Sequence, residues 1–131
     1  MAKPQPFAGI PNRVIDHPDF NKLSGNEIRL LLWFAYQYKG KNNGKLCAVW
    51  SQVKHRGFKS QTTLSNAIKG LRQKGFIELA KGNALTQSGR TPNYYAVTWE
   101  KVDEIRGFEM DLKPTRTALR TFIDVIDNPK P

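Results

Sequence analysis

Residues 57–76, GFKSQTTLSNAIKGLRQKGF, constrain the chain more than any other stretch. Leu64, Ala67, Ile68 and Leu71 fall at i, i+3, i+4 and i+7, the spacing that lines one face of a helix. Ser60 is placed to cap the first turn with its hydroxyl, and Gly75 can adopt the left-handed conformation that ends a helix. On a wheel advancing about 100° per residue, Thr62, Asn66, Lys69 and Gln73 gather on the far side, with Lys59 and Thr63 at its edge. That face is polar and basic. A helix of this kind can lie in the major groove of DNA with its N-terminal residues toward base edges. The same pattern also describes an amphipathic helix with a solvated face, so the flanking elements must decide between them.

Upstream, Ser24 and Glu27 are spaced for a capping box. Ile28, Leu31, Leu32, Ala35 and Tyr38 form a helical stripe that Leu30, Trp33 and Phe34 widen, which predicts a central helix packed on several sides. Gly40 ends it, and KNNG at 41–44 is a turn signal before a short strand over 45–49. Residues 50–56 leave room for about two helical turns, with Trp50 and Val53 inward, Gln52, Lys54, His55 and Arg56 outside, and Gly57 as the stop. This segment and the Ser60 helix form a helix-turn-helix.

Downstream, 76–80 and 94–99 have strand composition. The polar loop between them carries Lys81 and Arg90 and reads as a basic wing. Helix, strand, helix, helix, strand, strand is the winged helix order. The expected fold is therefore α+β and mainly helical: a winged helix-turn-helix with a three-helix core, a small antiparallel sheet, a hairpin wing and a C-terminal helix.

The remaining segments are less patterned. Residues 1–8 read as a flexible arm, and 10–23 as an extended lead-in with a helical turn over 18–23, where Ile10, Val14, Ile15 and Phe20 close one side of the core. His17 reads as a surface residue at a helix end. The expected DNA-binding domain spans 9–107, with a turn or helix over 100–107 packed through Val102 and Ile105. In the extension 108–131, Thr115 could cap a last helix whose stripe is Leu119, Phe122, Ile123 and Ile126. That stripe must pack back on the body or meet a second copy in a homodimer.

Composition narrows the function. Twenty-one Lys and Arg against 11 Asp and Glu give a net charge of +10, which favours polyanionic partners. One cysteine, Cys47, permits no internal disulfide and fits a reducing compartment, and the chain lacks an apolar run long enough to cross a bilayer. A cytoplasmic protein without a membrane partner is expected. Two distant histidines, His17 and His55, and the adjacent acids Asp103 and Glu104 make neither a metal site nor a catalytic pair, and Cys47 reads as a buried, inert thiol. Neither an enzyme nor a cofactor is expected.

The lead-in IPNRVIDHPDFNKLSGNEIRLLLWFAYQYKGKNNGKL resembles the N-terminal winged helix domains of the replication protein O family of lambdoid phages and related prophage and plasmid helix-turn-helix proteins. Those domains share an Ile-Pro-Asn start, a Leu-Ser-Gly-x-Glu helix start and an Asn-rich turn. GFKSQTTLSNAIKGLRQKGFI is similar to their recognition unit, and the resemblance takes in roughly residues 7–99. The resemblance implies binding of double-stranded DNA, with Lys59, Ser60, Thr62, Thr63, Asn66 and Lys69 placed at the contact.

Within that reading, Asn66 and Gln61 or Thr62 address base edges, while Lys54, Arg56, Lys59, Lys69, Lys81 and Arg90 neutralise phosphates. Six such contacts imply a salt slope near −5. Replication protein O continues into a second region, whereas this chain has a short hydrophobic tail, so a sequence-specific transcriptional regulator of phage or mobile-element type is expected first. The alternatives are a replication initiator recognising an origin and a protein interaction module that has lost DNA binding.

Overall fold

The computed structural model describes residues 5–123, which combine short and long helices with two small antiparallel sheets. Helix α1 spans Asn12–Ile15, a 3-10 turn spans Pro18–Lys22, and α2 (Gly25–Gln37), α3 (Trp50–Val53) and α4 (Gln61–Gln73) follow. The strands are β1 (Ile77–Lys81), β2 (Leu85–Thr86), β3 (Gly89–Arg90) and β4 (Tyr94–Val97). The mixed α+β character is as expected.

The caps explain where the long helices begin. Ser24 accepts from the Glu27 amide at 3.2 Å and Glu27 returns a bond to the Ser24 amide at 2.9 Å, which completes the capping box on α2. The Ser60 hydroxyl accepts from the Thr63 amide at 3.1 Å. Gly75 stops α4 at a φ of +83° that disfavours a side chain.

α2 crosses α4 at the heart of the molecule. Leu30, Leu31 and Phe34 of α2 and Leu64, Ala67 and Leu71 of α4 are buried in one core with Phe76, Ile77, Tyr95, Val97 and Trp99. At the crossing the Glu27 carboxylate enters the space that a side chain at position 70 would occupy, and Gly70 leaves room for it. α2 is less enclosed than its composition suggests, because Leu32 and Tyr36 are about half exposed at 49% and 51%.

β4 is the middle of the main sheet. It pairs antiparallel with β1, Ile77 opposite Val97 and Leu79 opposite Tyr95, and on its other side Tyr95 bridges Leu46. The strand expected over 45–49 is reduced to that one bridge. Val53 is buried behind it, but α3 is a single helical turn continued by turns to Gly57. Asn43 gathers the sheet end. Its amide group donates to the carbonyls of Val97, Glu100 and Lys101 at 2.8–3.2 Å and accepts from the Val97 amide at 2.8 Å. Its backbone exchanges bonds with Asp103. This fully buried hub also explains why 100–107 form no helix: the Asp103 amide and side chain are committed to Asn43.

The C-terminal helix expected from Thr115 onward is absent over the described residues. Thr115 does not cap a helix; its hydroxyl accepts from Val102, and its amide donates to the Val102 carbonyl. Arg120 donates its amide to Thr98, and Phe122 inserts fully into the core, its ring 5.3 Å from Phe76 and 5.5 Å from His17. Phe122 reaches that position with φ +62°, a backbone cost of about 1–2 kcal/mol that burial of an aromatic side chain, about 1.5–3 kcal/mol, offsets. A short isolated helix is marginal, and docking wins.

Phe122 is consequently enclosed within its own chain and cannot form the dimer face suggested by the stripe. Leu119 and Ile123 are partly exposed, and Ile126 lies outside the described residues. His17 is likewise buried rather than superficial. Its Nδ1 accepts from the Asp19 amide at 3.0 Å, and Arg120 reaches its Nε2 at 3.5 Å. Arg13 in α1 ties the same region together by donating to the carbonyls of Trp99 and Thr121. Val14 joins the core as expected, whereas Ile15 is 43% exposed.

Candidate nucleic-acid interface

The outer face of α4 follows from the burial of its inner one. Leu64, Ala67, Gly70 and Leu71 turn inward, so Gln61, Thr62, Ser65, Asn66, Lys69, Arg72 and Gln73 are exposed. The face contains no acid. Lys59 and Ser60 stand before its first turn and are exposed as well. The Ser60 and Thr63 hydroxyls lie 3.0 Å apart, and Ser60 accepts the Thr63 amide, so both hydroxyls are engaged in the cap. Ser65 and Arg72 belong to this surface without having been singled out. Each sits beside the buried stripe on the wheel, and only the packing of α2 shows which flank stays open. Arg72 is loosely balanced by Glu78 at 4.0 Å.

The hairpin rises beside this helix. Residues 81–93 are not a plain loop, because β2 and β3 pair Leu85 with Arg90 and Thr86 with Gly89. At its root Asn93 accepts from the Asn83 amide at 2.7 Å, and Thr91 exchanges bonds with Ala84. A hollow of about 360 Å³ lies between Ile68 of α4, Val49 ahead of α3, and the hairpin residues Asn83, Arg90 and Pro92. Arg90 donates to the Asn83 side chain at 3.2 Å and is exposed.

The six expected phosphate contacts do not have equal freedom. Lys54, Lys59 and Lys69 are exposed, and their ammonium groups have no hydrogen-bond or ion-pair partner among the described residues. Lys81 is different: its ammonium donates to the Glu109 carbonyl at 2.6 Å beside the Phe108 ring. It anchors the C-terminal segment to the hairpin root. Arg56 lies over the rings of Trp33 and Tyr36, at 4.4 Å and 5.0 Å from their centroids, on the outer side of α2.

Other reactive groups have structural surroundings. Burial pushes the Cys47 thiol up from its ordinary pKa, which opposes thiolate chemistry. Among the described residues no three His, Cys, Asp or Glu side chains converge as a metal site. No helix among them is long and apolar enough to cross a membrane.

Comparison with known proteins adds no family to this geometry. No protein-family model matches the chain, and no curated protein or solved structure is significantly similar to it.

Proposed function

We propose that the chain is a winged helix-turn-helix protein that binds double-stranded DNA in a sequence-specific manner and serves as a transcriptional regulator of phage or mobile-element type. In this reading α2, α3 and α4 are the three helices, β1 and β4 with Leu46 the sheet, and β2 and β3 the tip of the wing. The observation that carries it is the acid-free outer face of α4 standing beside a hairpin that bears an exposed arginine. Asn66, Gln61 and Thr62 supply hydrogen-bonding groups of the kind that read base edges, an asparagine amide being suited to adenine. Lys54, Lys59, Lys69 and Arg90 supply charge for phosphates flanking them.

Selection of bound sequences from a random duplex library, with single-stranded DNA and RNA as competitors, tests the reading. A duplex motif should emerge, and Asn66→Ala should lose about 1–3 kcal/mol of discrimination at one base pair. Arg90→Ala should weaken all duplexes alike. A library that returns no motif, together with both variants binding like the parent, would remove this function.

A further inference from the structure

The outer side of α2 carries a second surface that DNA recognition does not use. Leu32 and Tyr36 are exposed to 49% and 51%, and with Ala8, Trp33 and Phe58 they surround a hollow of about 290 Å³. The floor is rigid. Trp33 donates its indole N–H to the Cys47 carbonyl at 2.9 Å and stacks on Tyr36 at 5.5 Å with 19° between the rings.

Two cations, Arg29 and Arg56, line this hollow, and a third, Lys39, lies beside it. Arg56 covers both rings, Lys39 lies 5.3 Å from the Tyr36 centroid, and Arg29 is fixed by donating to the Arg56 carbonyl at 3.2 Å. None of the three has a carboxylate partner among the described residues. Around the helix, Leu32 lies about 160° from Leu30 and Phe34 and about 140° from Glu27 at 100° per residue. Glu27 marks the side that meets α4, so the hollow opens away from α4.

We propose that this face docks an acidic amphipathic segment of another protein, with one large apolar side chain in the hollow and carboxylates against Arg29, Lys39 and Arg56. Charge complementarity selects this occupant. An exposed apolar hollow ringed by unpaired cations matches a segment that combines apolar anchors with negative charge. A nucleic acid base is disfavoured because Arg56 and Lys39 already cover the aromatic faces on which it would stack, whereas a carboxylate would join those cations where they stand. The surface is independent of DNA recognition, so both partners can be held at once.

The probe is a synthetic peptide of about fourteen residues, acidic throughout except for Leu and Trp at helical spacing, titrated into the isotope-labelled chain. Resonance shifts should be confined to α2, Ala8, Lys39, Arg56 and Phe58, with saturation below about 100 μM that weakens as salt rises. Leu32→Asp and Lys39→Glu should each weaken the peptide by about tenfold or more, while Leu32→Asp leaves duplex affinity as it was. Both side chains are exposed, and a thermal melt of each variant checks the fold, so either alone suffices if the other melts early.

Four outcomes overturn the proposal: a peptide with lysines in place of its acids binding equally well, shifts centred on α4 and the hairpin, both variants binding like the parent, or no saturation. A single-stranded oligonucleotide whose binding is lost in Tyr36→Ala would assign the face to nucleic acid instead. A dimer in sedimentation that Leu32→Asp dissolves would assign it to a second copy.

Discussion

The Glu27 carboxylate stands 2.6 Å from the Lys74 ammonium, joining the first turn of α2 to the end of α4. Because the same carboxylate oxygen caps the Ser24 amide, one side chain fixes both the start of α2 and the crossing of the two longest helices. The orientation of the α4 outer face therefore depends on a residue that lies beneath it.

Gly70→Ala tests that dependence with an effect of unusual sign. In a helix interior the substitution ordinarily adds about 1 kcal/mol. Here the new Cβ collides with Glu27 Oε2, and that carboxylate cannot swing aside without leaving Lys74 and Ser24. A net loss of about 1–3 kcal/mol is expected. In a Glu27→Ala background the same substitution should become stabilising, and urea denaturation of the four proteins measures both values.

Asn43 should be equally sensitive. Asn43→Ala leaves the Val97 amide without its acceptor in a buried site and is expected to lose about 2–4 kcal/mol. Asn43→Asp keeps the shape but sets an acceptor against the three carbonyls of Val97, Glu100 and Lys101. It should fare no better than alanine in thermal melts, and an aspartate as stable as the parent would contradict the assigned donor.

Asp19 links stability to pH. Its hydrogen bond with Arg120, at 2.5 Å, holds its pKa below the ordinary carboxylate value, with Lys22 contributing and partial burial opposing. A carboxylate whose pKa falls on folding contributes stability that is present above its unfolded value, about 3.9, and is lost as pH falls through the lower folded value. The parent should therefore lose its advantage over Asp19→Asn as pH is taken down from about 4. At neutral pH Asp19→Asn should be the less stable protein, and a difference between the two that ignores acid would sever the link to Arg120.

Salt dependence separates the cations proposed to meet phosphate from Lys81, which is tethered, and Arg56, which lies on the outer side of α2. Four cations, Lys54, Lys59, Lys69 and Arg90, give a log–log slope of about −3.6, against about −5.4 for six. Lys81→Ala should lower the melting temperature, because it frees the Glu109 carbonyl, while leaving the slope unchanged. Duplex titrations over a range of salt concentrations measure each slope directly.

The two long helices, α2 and α4, and their caps were legible in the sequence because capping is local, whereas the single turn of α1 fell in a stretch that reads as extended. Ser24, Glu27, Ser60 and Gly75 act within one turn of their own position, and the stripe of α4 needs only its period. Phe122 was not legible: its spacing from Leu119 and Ile123 mimics a helix, while its actual partners, His17 and Phe76, are distant in sequence. Asn43 sits in a run that signals a turn, and nothing nearby announces that its side chain will serve residues 97–101. Lys81 and Arg90 share a loop and a charge, but only the path of residues 108–111 distinguishes the tethered one from the exposed one. Groups that answer to distant partners leave no local period.

The insertion of Phe122 also sets a timetable for folding. Arg13 meets Thr121 across 108 positions of sequence, and Arg120 meets Asp19 across 101, so this piece of the core is synthesised well after the elements it packs on. Contacts of such long range carry their loop-closure entropy before any packing is gained. A nascent chain held on the ribosome short of residue 122 would leave Phe76 without its covering ring, a sticky aromatic opening until synthesis delivers the side chain that closes it.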